Sequence, residues 1–432
     1  MRRVFSWEPL SPESVLGWLA SFDVGEQFYF SGKDGDYEFA GLGSALTITG
    51  VSPEDASNVL SGLWSRHPLA LVFGGTAFNP DNPALEEWAD FGGLRFTLPL
   101  VELRRDGQSM QIAFNFLSTQ GLSAKESDKA LIDLVEELEK TRTTPIHNKE
   151  NTLCGDEQIP SRSGWNTMIT RALEEIEHGA IDKVVLSRKR ILTARNSWNA
   201  LDILGKLASV RDDSFVFLYK IARDRAFVGR TPERLLRLEG RSISVDAIAG
   251  TRPRGRDAAE DKSLENELLD SPKELEEHRI VSRYVEEQIG KIARDLQTSP
   301  LESILKLKNL QHIFTQHCGT LRNGHSILDT LGCFHPTPAV GGYPAKTARD
   351  LILQWEPHQR GWYAGPIGWM TGQGAEFAVG IRSALVHGKQ LHIFAGAGIV
   401  EHSDPDAEWR ETEQKMQTIA RVSEDAGQAG EC

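Results

Sequence analysis

The run Glu376-Phe-Ala-Val-Gly-Ile-Arg-Ser-Ala-Leu-Val386 is followed by His387-Gly-Lys-Gln390 and then by Leu391-His-Ile-Phe-Ala395. Phe377, Val379, Ile381 and Leu385 share one face of an extended chain, and Ala378, Gly380, Arg382 and Ala384 share the other. The short polar break predicts a hairpin between the two runs. Just beyond it, Asp404-Pro405 opens a helix that continues past Ile419. Hairpins set beside long helices predict an α+β fold rather than an alternating β-α-β one.

Working outward, strand-like runs fall at Lys183–Leu192, Phe215–Lys220 and Ser242–Ala249. A second long helix is predicted from Ser271-Pro272-Lys273-Glu274, with Ser as N-cap, Pro at the first helical position and Glu completing a capping box. Residues 1–140 read as strands and short helices with little sign of chemistry. Phe28-Tyr29-Phe30 and Leu69–Phe73 are expected core strands there, and Asp128–Lys140 an expected helix. The polar stretch 141–164 is expected to be a connecting loop. Residues 165–425 then carry the informative motifs, with one structural domain expected overall.

The bulk numbers narrow the function. In 432 residues with 40% hydrophobic content there is material for a sizeable core, and a net charge of -13 argues against a nucleic-acid partner. Cys154, Cys318, Cys333 and Cys432 show neither a CxxC pair nor a zinc spacing, which points to a reduced, cytoplasmic setting. No apolar run is long enough to span a membrane, and no leader peptide is recognised.

Several residues suggest chemistry, each beside a plainer explanation. Glu277 is followed at +3, +4 and +7 by Ile280, Val281 and Tyr284, so it lies along an apolar stripe where a bare carboxylate is costly. Glu408, Glu411 and Lys415 share one face of the last helix. Two carboxylate-bearing helices facing one pocket would suit a hard cation such as Mg²⁺. Yet Glu274 is also explained by capping, and Glu411 with Lys415 by an ordinary surface pair. Arg382 among small residues offers a fork for a carboxylate, or is simply an exposed strand residue. Gly396-Ala397-Gly398 reads as a turn with backbone N–H groups free for an anion, a weak signal alone. Lys183 serves as a base only as the neutral amine, and Glu233 is equally a loop carboxylate paired to an arginine.

Taken in order, the motifs resemble the chorismate-utilising enzyme family. They are Lys183-Val-Val-Leu-Ser-Arg188, Thr231-Pro-Glu-Arg-Leu235, Ala249-Gly-Thr-Arg-Pro-Arg254, Lys273-Glu-Leu-Glu-Glu-His278, Gln311-His312, Arg360-Gly-Trp-Tyr-Ala-Gly365, and Gly396-Ala-Gly398 with Glu408 and Glu411. The resemblance covers 166–422 and is loose before about residue 140. It implies two large packed β-sheets with helices outside, as in anthranilate synthase component I. It also implies a Mg²⁺ held by Glu277 and Glu408, with Glu274 and Glu411 close by, bound to the ring carboxylate of chorismate. Arg382, Tyr363 and the segment Gly396, Ala397 and Gly398 would hold the enolpyruvyl carboxylate. Gly250, Thr251 and His312 would line the ring side, and Lys415 would join the substrate-binding set.

Two positions point to a branch. Ala249 stands where ammonia-using relatives carry lysine, and Ala339 in His335-Pro-Thr-Pro-Ala-Val-Gly-Gly342 is similar to isochorismate synthases. The resemblance therefore implies isomerisation of chorismate to isochorismate, with Lys183 as base toward water and protonated Glu233 as acid, for quinone biosynthesis. Salicylate synthase and an anthranilate synthase component I-like activity are the alternatives. A monomer with no glutaminase subunit is expected.

Overall fold

The computed structural model describes residues 2–6, 14–33, 35–116, 124–141, 151–210, 212–306 and 310–424. The hairpin forms, Ser383–His387 pairing with Gln390–Ile399 around Gly388 and Lys389. The strand before it does not run unbroken, however. It stops at Val379 and resumes at Ser383. Gly380 exchanges backbone hydrogen bonds with Ala364 and Gly365 instead of with a neighbouring strand, and Arg382 adopts a left-handed φ of 50°. The alternation predicted across Gly380–Arg382 is replaced by a crossing between sheets.

The architecture explains that break. One sheet runs, in order, through Leu153–Ile159, Lys183–Ala194, Gln390–Ile399, Ser383–His387, Arg225–Thr231, Phe215–Ala222, Gln27–Ser31 and Tyr37–Thr49. The other runs through Val72–Thr76, Pro366–Thr371, Gly374–Val379, Arg234–Glu239, Ser242–Pro253 and Leu310–Leu321. The long strand Leu94–Asp106 joins them: it pairs with Tyr37–Thr49 along one edge and with Val72–Thr76, then Ser109–Asn115, along the other. Every pairing among the described strands is antiparallel, which lets short hairpins join neighbours such as Phe215–Ala222 with Arg225–Thr231 and Pro366–Thr371 with Gly374–Val379.

Alternation along Phe215–Ala222 sorts the core. Phe215, Phe217 and Tyr219 point between the sheets, while Val216 and Leu218 point outward. The inner cluster is aromatic; Phe73, fully buried, meets the rings of Phe28, Phe30, Phe39 and Tyr219. The outer face is covered by helices Val15–Ala20, Ala200–Ser209 and Pro405–Glu424, which contribute Leu19, Leu204, Met416 and Ile419. Each such buried side chain contributes about 1.5–3 kcal/mol.

Some expectations shift. The strand expected at Leu69–Phe73 is Val72–Thr76, and the expected helix Asp128–Lys140 is Ala124–Lys140. The polar stretch 141–164 is not all loop: Leu153–Ile159 is an edge strand, and the helix Arg162–Glu177 begins inside it, capped by Ser161. Residues 142–150 lie outside the described residues. Polarity misled there because an edge strand with exposed Glu157 keeps one face in water. No described helix is long and apolar enough to cross a membrane.

Phe73→Ala should cost about 3–5 kcal/mol, since it empties space between four rings. Chemical denaturation of the variant checks this; a loss below 1 kcal/mol would show that the sheets close over the gap.

Candidate active site

Two crossings between the sheets lie side by side. The chain passes from Arg225–Thr231 to Arg234–Glu239 through Pro232 and Glu233, and from Gly374–Val379 to Ser383–His387 through Arg382. They are tied by Arg230 N–H to Arg382 O at 3.0 Å and by Val379 N–H to Glu233 O at 3.0 Å. The topology thus delivers an acid and a cation to one seam, although 149 residues separate them in sequence.

A cleft of about 670 Å³ opens at this seam. It is walled by Glu233, Gly250, Glu274, Glu277, His312, Ala339, Tyr363, Arg382, Gly396, Gly398, Glu408, Glu411 and Lys415, all expected from the sequence. Size and lining suit a small organic ligand with several polar groups. Lys183 is buried behind this wall and donates from Nζ to Glu277 Oε1 at 2.6 Å.

Glu233 is not the arginine-paired loop residue that remained open in the sequence. Arg230 turns to Asp212, and Arg234 bridges Glu376 and Asp246. Burial pushes the Glu233 carboxyl up to about 7, opposed by the charges of Lys33, Lys183 and Lys415. A carboxyl of this kind still holds a proton near neutrality and can donate it.

The helix Pro272–Ile292 starts as predicted, with Ser271 Oγ accepting from Glu274 N–H. The reciprocal half of the capping box is missing, because Glu274 Oε1 accepts from Arg252 Nη1 at 2.9 Å instead. Glu277, one helical turn on, reaches Lys183. On the helix Pro405–Glu424, Glu408 is buried, and Glu411 accepts from Lys415 Nζ at 2.6 Å. The same ammonium donates to Gly396 O at 2.9 Å, so Lys415 closes the cleft wall while paired to its helix neighbour.

The glycine segment differs from expectation. Gly396, Ala397 and Gly398 form no turn: the strand continues to Ile399, paired with Val184–Ser187. Ala397 faces the inner core, so it leaves the cleft-lining set. Gly398 matters for what it lacks, since a Cβ there would come within 2.9 Å of Lys183 Cε and 3.6 Å of Glu277 Oε1.

Gly250 occupies a bulge against Leu310–Leu321, with φ of 73°. His312 opposes Thr251 just beyond the bulge, and its ring donates to the Gly250 carbonyl; burial pulls the imidazole down to about 4, so it is neutral at pH 7. Tyr363 is buried and its phenol, raised well above the usual range by burial, stays protonated as a donor. The side chain of Thr251 lies outside the described residues.

The structure also brings in Lys33 and Arg252, which the sequence did not put in the site. Arg252 lay inside a quoted motif, so that position was legible. Lys33 follows a core strand in the weakly matched N-terminal part, where nothing local distinguishes it from a solvated turn lysine.

An antiparallel two-sheet α+β fold, with a buried acid, a paired lysine and a multi-carboxylate cleft at the seam, defines an enzyme for a small polar, anionic ligand. The chain matches the chorismate binding enzyme family over residues 1–423 and belongs to it. It is 34% identical to isochorismate synthase 2, chloroplastic, of Arabidopsis thaliana, over 89% of this chain and 70% of that one. It is 30% identical to isochorismate synthase MenF of Bacillus subtilis, over 95% and 91% respectively. The solved structure of MenF, the menaquinone-specific isochorismate synthase from Escherichia coli, superposes with a TM-score of 0.86 at 28% identity, covering 98% of this chain and 95% of that one. Anthranilate synthase component I from Streptococcus pneumoniae shares the fold, with a TM-score of 0.71 at 19% identity over 97% and 92% of the two chains.

Gly250→Ala forces a side chain into the left-handed region and within 3.2 Å of Glu274 Cβ. A stability loss of about 1–2 kcal/mol is expected. Thermal unfolding checks it, and an unchanged midpoint would mean that the bulge relaxes freely.

Proposed function

We propose that this chain is an isochorismate synthase, isomerising chorismate to isochorismate with Mg²⁺ for quinone biosynthesis. The observation that carries the reading is a buried, protonatable Glu233 lining a cleft behind whose wall Lys183 sits paired to Glu277, in a chain of this family. The relatives it resembles are named isochorismate synthases, in agreement with this reading. Ala249, short and uncharged beside the cleft, supports water over ammonia as the nucleophile, so no glutaminase subunit is part of the reading. A cytoplasmic monomer completes it.

In the proposed reaction Lys183, as the neutral amine, accepts a proton from water as the water oxygen bonds to C2. The C1–C2 double bond moves to C1–C6 and the C5–C6 double bond to C4–C5. The C4–O bond breaks, and Glu233 donates its proton so that the oxygen leaves as water. Lys183 ends charged and Glu233 ionised; solvent exchange resets both. The Lys183–Glu277 ion pair must open for the amine to act. Arg382 and the Tyr363 phenol would hold the enolpyruvyl carboxylate, with His312 as a neutral wall on the ring side.

No group of three His, Cys, Asp or Glu side chains among the described residues closes into a metal cage. Mg²⁺ does not need one: it takes one or two carboxylates, keeps water, and completes its shell with ligand oxygens. Two helices bring the carboxylates of Glu274, Glu277, Glu408 and Glu411 to the cleft, hard oxygen donors that fit that set. Glu277 and Glu408 would hold the ion, with Glu274 and Glu411 near. When bound, it would supply Lewis-acid polarisation of the ring carboxylate.

The test is to incubate the protein with chorismate and Mg²⁺ and to identify products by NMR. Isochorismate alone, lost on chelation with EDTA, is the expected result; salicylate with pyruvate, or anthranilate with ammonia, would overturn it. Lys183→Ala should abolish turnover while retaining chorismate binding.

The pH dependence has a fixed sign. Glu233 donates only when protonated, so turnover should fall as pH rises through about 7. A kcat profile that is flat from pH 6 to 9 would remove Glu233 as the acid.

A further inference from the structure

Cations around the cleft fall into two groups. Lys183 is paired with Glu277, Arg252 with Glu274, and Lys415 with Glu411. Lys33 and Arg382 also line the cleft, and neither forms an ion pair with a described residue. Lys33 comes from the turn between Gln27–Ser31 and Tyr37–Thr49, in the N-terminal part of the chain. Its ammonium lies over the Phe215 ring at 5.6 Å, and its stem is half-buried.

Position narrows its role. Lys33 is the leading opposing charge on the Glu233 carboxyl, ahead of Lys183 and Lys415. With Arg382 it is also one of the two cations acting on the His312 ring. Lys33 therefore belongs to the end of the cleft where Glu233, His312 and Arg382 meet. Burial holds the Lys33 ammonium below its usual range, and Asp246, Glu233 and Glu376 offset this without forming an ion pair with it; an anion arriving in direct contact favours the charged form.

We propose that Lys33 is a substrate-binding residue: with Arg382 it holds the one carboxylate of the substrate that the carboxylate helices do not take. The assignment rests on the reading of the substrate as chorismate, a dianion. It makes the N-terminal segment part of the active site. The two cations would approach the same group from a turn and from a sheet crossing, so their contributions are coupled.

The experiment is steady-state kinetics with chorismate and Mg²⁺ for the wild type, Lys33→Met, Lys33→Arg, Arg382→Met and the double variant Lys33→Met/Arg382→Met, with thermal midpoints measured alongside. Lys33→Met should raise KM about 10- to 100-fold, and Lys33→Arg should recover most of the loss. The double variant should lose less than the product of the two single losses. Unchanged KM in Lys33→Met at wild-type stability overturns the proposal, as does strict multiplicativity in the double variant. Where Lys33→Met lowers the thermal midpoint, direct chorismate binding to folded Lys33→Gln at low temperature decides: wild-type affinity counts against the proposal, weakened affinity for it. A wild type that fails to turn over chorismate contradicts the functional reading, whereas turnover with an indifferent Lys33 contradicts this inference alone.

Discussion

Burial of the Glu233 carboxyl without an arginine partner is the constraint on which the site depends. An ionised carboxylate loses much of its hydration there, so the proton stays on to about pH 7. The adjacent arginines would cancel this effect, but each is held elsewhere: Arg230 by Asp212, and Arg234 by Glu376 and Asp246. Tyr37 adds a 2.6 Å hydrogen bond to Glu376, fixing that network from the N-terminal part of the chain. Burial keeps the carboxyl neutral, and these ion pairs keep arginine charge from cancelling that effect.

The two-sheet architecture makes this arrangement possible. Strands that change sheets at Glu233 and at Arg382 must leave their ladders for two or three residues, and those residues face the seam. The left-handed backbone at Arg382 is strain placed where a ligand would meet the side chain, a common location for such strain. Helices Pro272–Ile292 and Pro405–Glu424 then bring carboxylates to the same seam, and glycines keep the wall thin. A methyl group at Gly398 would press on the Lys183–Glu277 pair, so the small residue there belongs to the site as much as the charged ones.

Much of this was legible in the sequence because chemistry was written into short ordered motifs. Glu233, Glu277, His312, Tyr363 and Glu408 were found by their motifs and Arg382 by its strand pattern; they line one cleft, with Lys183 just behind its wall. What was not legible has a common physical origin. Period-2 alternation continued through Gly380–Arg382 and gave no hint that the chain changes sheets there. The glycine spacing made Gly396-Ala397-Gly398 look like a turn, although it is a strand whose Gly396 carbonyl accepts from Lys415. Glu274 satisfied a capping rule, yet its carboxylate is drawn to Arg252 on the strand Ser242–Pro253. Lys33 was invisible for the simplest reason: only the tertiary fold brings it to the cleft beside Glu233, and a turn lysine carries no periodic signature.

The central claim is that water adds at C2 while the C4 hydroxyl departs, and isotope placement tests it most directly. Turnover of unlabelled chorismate in water enriched in oxygen-18, followed by mass spectrometry and NMR, reads the origin of the new hydroxyl. The account requires one oxygen-18 in the isochorismate product, located on C2. Product formed at the normal rate with its hydroxyl unlabelled would mean that the original oxygen migrates within the ring, and would contradict a paired Lys183 base and Glu233 acid.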